Sequence, residues 1–136
     1  MDQSMFLKME PKPEYLQAEI SGPFDVRHTQ NIMAQIIQSC RDHGLSKALI
    51  DMRLIEGTIP IVDRFELAEF VALMTNNVIR MAFIGTPEQM QPEKFFEKAS
   101  RNRGALVMVT TDQQEAVEWL GVDTTAAGNE EPKTRD

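Results

Sequence analysis

The segment of residues 47–74 constrains the fold most, because it joins a buried strand, an irregular loop and the start of a helix. Residues 48–50 are apolar and Asp51 closes them, which is typical of a short strand buried on both faces of a parallel sheet. Residues 53–61 contain a glycine and a proline and follow neither a helical nor a strand period. This pattern predicts a loop at the carboxyl edge of the sheet, where open α/β sheets bind their ligands.

A second helix is predicted to begin at Asp63, whose carboxylate can accept hydrogen bonds from free backbone amides. Glu66 lies three residues on, in the register of a capping box, and Val62 and Leu67 have the spacing of a hydrophobic staple. The apolar face predicted for this helix comprises Phe65, Leu67, Ala68, Phe70, Val71 and Met74. Its charged residues, which we expect to face water or a partner, are Arg64, Glu66 and Glu69.

Length and charge limit the classes of function. A chain of 136 residues with 42% hydrophobic content suits one domain with one core. The net charge of −7 argues against binding to nucleic acid or to a broad anionic membrane surface. A single cysteine permits no intrachain disulfide, the first residues do not resemble a signal peptide, and no apolar run approaches the roughly 20 residues of a transmembrane helix. We therefore expect a cytoplasmic protein.

The rest of the chain alternates strands and helices. Two strands at residues 4–10 and 14–21 are predicted to pair as a hairpin, and Asp25 is placed to cap a helix over residues 26–42. The remaining predictions are strands at 80–85 and 105–110, a third helix with Pro92 in its first turn, and a last helix that Thr111 or Asp112 begins and Gly121 ends.

The element order ββαβαβαβα predicts the α/β class. We expect a mostly parallel five-strand sheet with an antiparallel edge strand and four helices, because strands that alternate with helices pair in parallel through right-handed crossovers. The predicted domain spans residues 1–122, and residues 123–136, which lack periodicity and apolar content, are predicted to form a disordered tail.

Two segments, LIDMRLIEGTIPIVDRFELAEF and EAVEWL, resemble the SpoIIAA-like family of the STAS superfamily. These are small bacterial domains of the anti-sigma-factor-antagonist fold, which are also likened to CRAL-TRIO lipid-carrier domains. The resemblance covers about residues 5–121, and its most specific part is residues 63–67 after a strand that bears Asp51. It implies a five-strand sheet with four helices and a role in binding rather than catalysis.

Family antagonists carry a phosphorylatable serine in an Asp-Ser-Ser-Gly-like motif at the start of the second helix. Asp63 matches this motif, but Arg64 and Phe65 occupy the phosphorylatable place. The nearest hydroxyl is that of Thr58 in the preceding loop. This departure from the motif argues against a phosphorylation switch at the start of the second helix and leaves open whether one exists elsewhere.

Catalysis is the weakest of the functional hypotheses. Four carboxylates lie near the predicted sheet edge and could serve as acid and base in a hydrolase: Asp51, Glu56, Asp63 and Glu66. Capping accounts for Asp63 and Glu66, and a pair with Arg53 or Arg64 accounts for Asp51. Cys40 lies on the apolar stripe of the first helix, and the sequence has no HExxH, CxxC or glycine-rich phosphate loop. We predict no enzyme, no metal site and no cofactor.

Two kinds of binding remain open. In the first, the loop and the second helix dock a partner protein through Arg53, Ile55, Glu56, Ile59, Ile61, Asp63, Arg64, Phe65 and Glu69. In the second, the loop covers a pocket for a small apolar or lipid-like ligand, with Arg53 or Arg64 meeting an acidic headgroup. The walls of that pocket would be Phe65, Phe70, Met74 and Phe83. Core packing also accounts for these aromatic and methionine residues.

Two further surfaces follow from the sequence. Apolar loop residues that nothing covers would favour self-association, most commonly as a homodimer. A basic cluster runs along the third helix and just past it, and helix-end electrostatics explain it better than an anionic partner does. Its members are Lys94, Lys98, Arg101 and Arg103.

Overall fold

The computed structural model describes residues 4–76 and 78–124, without the side chains of residues 90–93 and 95. The described chain contains five strands and four helices. They are β1 (Phe6–Pro11), β2 (Leu16–Pro23), α1 (Val26–Asp42), β3 (Lys47–Glu56), α2 (Ile61–Thr75), β4 (Arg80–Ile84), α3 (Pro87–Asn102), β5 (Leu106–Thr110) and α4 (Gln113–Leu120).

The strands form one sheet in the order β1-β2-β3-β4-β5. β1 and β2 pair antiparallel, with Phe6 opposite Ser21 and Pro11 opposite Leu16, and every other neighbouring pair is parallel. The α/β class and the antiparallel edge strand predicted from the sequence are thus confirmed. The predicted tail at residues 123–136 lies outside the described residues except for residues 123 and 124.

The two faces of the sheet are covered unequally. Helices α1, α2 and α3 pack on one face and form the larger core with the inward residues of all five strands. Helix α4 packs on the other face through Ala116 and Leu120 against Leu49, Ala82 and Ile84. Because α4 lies over β3, β4 and β5, the parts of β1 and β2 on that face carry exposed side chains.

Helix α1 follows the sequence pattern in full. The Asp25 carboxylate caps its start by accepting a hydrogen bond from the His28 amide, with 2.9 Å between the atoms. His43 forms its C-cap, where Nδ1 lies 2.9 Å from the Ser39 carbonyl oxygen. The buried residues are those of the predicted stripe, namely Thr29, Ile32, Met33, Ile36, Ile37 and Cys40.

Several element boundaries differ from the predictions, and β1 and β2 each begin two residues later than predicted. β3 runs to Glu56 and not only to Asp51, because β2 continues past a bulge to Pro23 and offers a pairing partner to the end. α3 begins at Pro87, five residues before Pro92, because Thr86 and Gln89 form a capping box there. α2 begins two residues before Asp63.

Helix α4 is held in place from β4. The Arg80 guanidinium lies 4.3 Å from the centre of the Trp119 ring and donates a hydrogen bond of 3.0 Å to the Trp119 carbonyl oxygen. Asp112 caps the helix and Gly121 ends it, as predicted. The Glu115 carboxylate accepts a hydrogen bond from the Thr110 hydroxyl and so links the first turn of α4 to the end of β5.

Candidate functional site

The candidate site is built on the connection from β3 to α2 at the carboxyl edge of the sheet. The end of β3 is fixed by a hydrogen bond of 2.9 Å from the Phe24 amide to the Glu56 carbonyl oxygen. Gly57 then turns the chain with φ of +93°, a conformation that side chains disfavour. Residues 58–60 complete a short connection before the helix begins at Ile61, with Thr58 and Pro60 exposed and Ile59 half-buried.

The capping box predicted at the start of α2 is not observed. The N-cap residue is Pro60, and no side chain of the described residues caps the helix at that position. Asp63 lies inside the first turn, where its negative charge still favours the positive end of the helix dipole. The Val62 side chain, predicted to form a staple with Leu67, is 67% exposed. Proline fits the N-cap position because its backbone is already extended and it has no amide hydrogen that would need an acceptor.

Arg64 occupies the opposite side of α2 from the predicted one. It is only 6% exposed and shares the inner side of the helix with Leu67, Ala68, Val71 and Thr75. The Thr75 hydroxyl is also buried there, and it donates a hydrogen bond of 2.8 Å to the Val71 carbonyl oxygen. Arg64 is therefore part of the packed interior and not a charge at the rim of a docking surface.

The outer side of α2 carries four of the eight large hydrophobic side chains that are exposed in the described chain. The exposed fractions are 60% for Ile61, 67% for Val62, 42% for Phe65 and 80% for Leu73. At 100° per residue, these four side chains together with Glu66 and Glu69 lie within an arc of about 140°, opposite the buried residues. We call this set of six residues the α2 outer face.

One edge of the α2 outer face is fixed by α3. The Arg103 guanidinium lies 5.4 Å from the centre of the Phe65 ring and 3.8 Å from a carboxylate oxygen of Glu69. Cation–π contact and ion pairing orient both side chains without covering them. Glu66 is exposed on the same face. The surface is thus an apolar patch with acidic side chains at its margin.

A small cavity of about 30 Å³ lies beneath the connection. Phe83 is the one predicted pocket wall among the residues that line this cavity. Three residues predicted as contacts of a partner also line it, namely Ile55, Ile59 and Arg64. Phe65 is on the outer face, while Phe70 and Met74 are half-buried and packed against the core. The remaining lining residues are Ile20, Phe24, Thr29, Met33, Met52, Leu67, Val71 and Phe96.

A more polar cleft adjoins this cavity on the outside, between the connection and the start of α3. It is lined by Thr58, Ile59, Arg64, Glu88 and Gln89, among others. Gln89 donates a hydrogen bond of 3.2 Å to the Met52 carbonyl oxygen while it takes part in the capping box of α3. Gly85 makes room for this arrangement, because a Cβ there would lie 2.9 Å from Gln89 Oε1.

Arg53 lies apart from both spaces. It is exposed and pairs with Asp51, with 2.8 Å between Nη2 and Oδ2, as one of the predicted alternatives requires. Desolvation alone would raise the pKa of Asp51, but hydrogen bonds and the charge of Arg53 outweigh it and lower the pKa below its usual value. Asp51 is therefore an ionised structural carboxylate. Glu56 is exposed at the end of β3.

The groups needed for catalysis are not assembled in the described residues. Cys40 is fully buried, and desolvation raises its pKa to about 11, so the thiolate is scarce near neutral pH. Within residues 4–76 and 78–124, no three histidine, cysteine, aspartate or glutamate side chains are grouped so that they could hold a metal ion. None of the described helices combines the length and hydrophobicity of a membrane span.

Similar folds occur among solved structures. An anti-sigma factor antagonist from Mycobacterium paratuberculosis matches with a TM-score of 0.59 and 11% identity, over 86% of this chain and 94% of the other. An uncharacterised protein with a SpoIIAA-like fold from Shewanella loihica matches with a TM-score of 0.55 and 20% identity, over 88% and 96%. The chain therefore has a SpoIIAA-like fold, as its sequence predicts.

The comparisons by sequence found no match. No family model matches the chain, and no curated protein matches it. At these low identities the structural matches establish the fold alone.

Proposed function

We propose that this protein is a non-catalytic regulatory module that binds a partner protein through the α2 outer face. The observation that carries the proposal is the exposure of Val62, Phe65 and Leu73 on one side of a helix whose other side is already packed. A contiguous exposed apolar patch with a polar margin is characteristic of protein-binding surfaces. Ile55 of β3 and Ile59 of the connection, which we predicted as contacts, are half-buried and line the cavity on the inner side of α2.

The charges of the surface suggest the chemistry of the partner. Glu66 is exposed at the margin of the patch, and the Glu69 carboxylate is 66% exposed even though Arg103 lies nearby. A partner with apolar side chains flanked by lysine or arginine would bury the patch and neutralise this margin. The net charge of −7 would increase the rate of association with such a basic partner.

The small cavity supports protein docking over carriage of a ligand. The cavity of about 30 Å³ has room for one or two water molecules, and the adjoining open cleft of about 170 Å³ still leaves the combined space below the roughly 300–1,000 Å³ of typical ligand sites. A lipid-like ligand would need the connection and Arg64 to move away from the core. Native mass spectrometry of the freshly purified protein tests this alternative, because a small molecule that is lost on denaturation would favour the carrier hypothesis.

The fold and the composition support the remaining parts of the proposal. The fold is shared with an anti-sigma factor antagonist, which is consistent with regulation through binding of a protein. Asp51 forms an ion pair with Arg53, and Cys40 is buried with a raised pKa, so neither residue supports a hydrolase mechanism. The lone cysteine is also consistent with a cytoplasmic location.

Affinity isolation with surface variants tests the proposal. The double variant Val62→Asp, Leu73→Asp places two charges in the apolar patch, and Asn31→Asp, Gln35→Asp places two on the exposed side of α1 as a matched control. We expect one protein to copurify with wild type and the control but not with the α2 variant, and calorimetry with the purified partner to reproduce this order. Equal binding by all three proteins would contradict the proposal.

A further inference from the structure

The two edge strands of the sheet, β1 and β5, differ in whether other side chains occupy the backbone groups at their outer edges. An edge strand presents backbone groups that its one neighbour leaves unpaired, and these can pair with another strand. Proteins therefore tend to cover or charge such edges. The contrast between the two edges points to a binding surface that is separate from the α2 outer face.

The β5 edge is closed by charged side chains of α3. The Val109 amide donates to Glu97 Oε2, and Lys94 Nζ donates to the Val109 carbonyl oxygen, each at 2.7 Å. Arg101 Nε donates to the Val107 carbonyl oxygen at the same distance. Lys94 and Arg101 belong to the basic cluster of α3 for which the sequence favours helix-end electrostatics. Their role is to occupy the hydrogen-bonding positions that an added strand would need.

The β1 edge is open. The Lys12 amide donates to the Tyr15 carbonyl oxygen at 2.8 Å, so even-numbered residues of β1 direct their backbone groups towards β2. Leu7 and Met9 therefore direct theirs outward, and in the described chain no side chain is hydrogen-bonded to them. Pro11 is the next outward residue and has no amide to leave unpaired, as is typical of an edge strand.

We propose that β1 pairs antiparallel with β1 of a second copy of this chain, with Met9 facing Met9 of that copy. This register places Lys8 opposite Glu10 of the second copy and Glu10 opposite its Lys8. Opposite charges that face each other across two strands stabilise the pairing. A register centred on Lys8 would instead place the two lysines opposite each other, and charge repulsion disfavours it.

Backbone and apolar groups also gain partners in this dimer. The amide and carbonyl of Met9 pair with those of the other Met9, and the Leu7 amide donates to the Pro11 carbonyl oxygen of the second copy. The side chains of Leu7 and Met9 are half-buried at the margin of the core, and a second strand would cover their exposed parts. The inference is independent of the proposed function and leaves the α2 outer face accessible.

Charge exchange tests the register. We expect wild type to dimerise in sedimentation equilibrium, and Lys8→Glu or Glu10→Lys alone to weaken the dimer roughly tenfold or more, because each variant sets like charges opposite each other twice. Mixing the two variants should restore association as a heterodimer, since both cross-strand pairs are then complementary. Lys98→Glu, which changes the same charge on the exposed side of α3, should dimerise like wild type.

The mixture separates the proposal from a loss of folding. A misfolded variant could not regain association with a second variant, and thermal unfolding of each variant alone verifies that it is folded. Single variants that dimerise as tightly as wild type, or a wild-type protein that remains monomeric from micromolar to millimolar concentration, would overturn the proposal. A mixture that stays monomeric while wild type dimerises would also overturn it.

Discussion

Helices α1 and α2 lie side by side on the same face of the sheet, yet they distribute their side chains in opposite ways. In α1 the six buried residues form one stripe, and the exposed positions are largely polar, as at Arg27, Asn31 and Gln35. In α2 an arginine is buried while a valine, a phenylalanine and a leucine are exposed. Packing of the core explains every buried position of α1 but leaves the exterior of α2 unexplained.

This difference indicates where function departs from folding. Natural sequences agree with their folds at most levels, and local disagreements concentrate at functional sites. The proposed function accounts for an apolar exterior that contributes nothing to the core, because a partner protein would cover it. The predictions below test whether the two helices differ in this way.

The largest expected effect is on the stability of variants that shorten a side chain. Ile36→Ala in α1 should lower the free energy of unfolding by about 2–5 kcal/mol, because Ile36 is fully buried and its removal leaves a cavity. Leu73→Ala in α2 should change it by no more than about 0.5 kcal/mol, as for other surface substitutions. Urea titration of both variants measures the contrast. A large loss in Leu73→Ala would mean that the protein's own chain covers the α2 outer face.

A smaller effect distinguishes the starts of the two helices. Asp25→Ala should lower the free energy of unfolding by about 1 kcal/mol, because it removes the side-chain cap of α1. Asp63→Ala should lower it by only a few tenths of a kcal/mol, since that residue interacts with the helix dipole without capping.

The conservative variant checks the mechanism at α1. Asp25→Asn should retain most of the stability, because asparagine caps a helix about as well as aspartate. If Asp63→Ala destabilised the protein as much as Asp25→Ala, the capping box predicted from the sequence would exist in solution and the observed start of α2 would be wrong.

The smallest effect concerns β3, the strand that leads into α2. The lowered pKa of Asp51 means that its ionised form stabilises the fold above the unfolded-state pKa of about 3.9. This contribution is lost as pH falls through the folded-state pKa. Asp51→Asn should therefore be less stable than wild type by under about 1 kcal/mol near neutral pH, and the difference should vanish in acid.

Arg53→Gln provides the matched comparison for this pair. It should cause a similar small loss near neutral pH, because the same ion pair is broken. Urea titrations of the two variants and wild type at several pH values measure both effects. A difference that grew as the pH fell would contradict the assigned role of Asp51.

The sequence predicts α1 and the sheet well because polar and apolar residues are cleanly sorted there. Asp25 is the cap, the stripe from Thr29 to Cys40 is buried, and the antiparallel edge strand is correct. The start of α3 was also present in the sequence as the Thr86 and Gln89 capping box, but Pro92 offered a competing signal.

The candidate site was harder to predict because α2 is apolar on nearly all sides. Its pattern could not determine which arc faces the core, so Phe65 was predicted inside and Arg64 outside, and both assignments were wrong. The closed β5 edge depends on contacts such as Lys94 to Val109 between an element and a strand distant in sequence. A periodic pattern within one helix or strand does not predict contacts of this kind.

Site-specific photo-cross-linking in cells tests the central claim most directly. A photoreactive residue is introduced at Leu73 on the α2 outer face and, in a separate protein, at Gln35 on the exposed side of α1. The proposed function predicts a covalent adduct with a different protein from position 73 and none from position 35. Equal labelling from both positions, or none from position 73, would contradict the assignment of the α2 outer face as a docking surface.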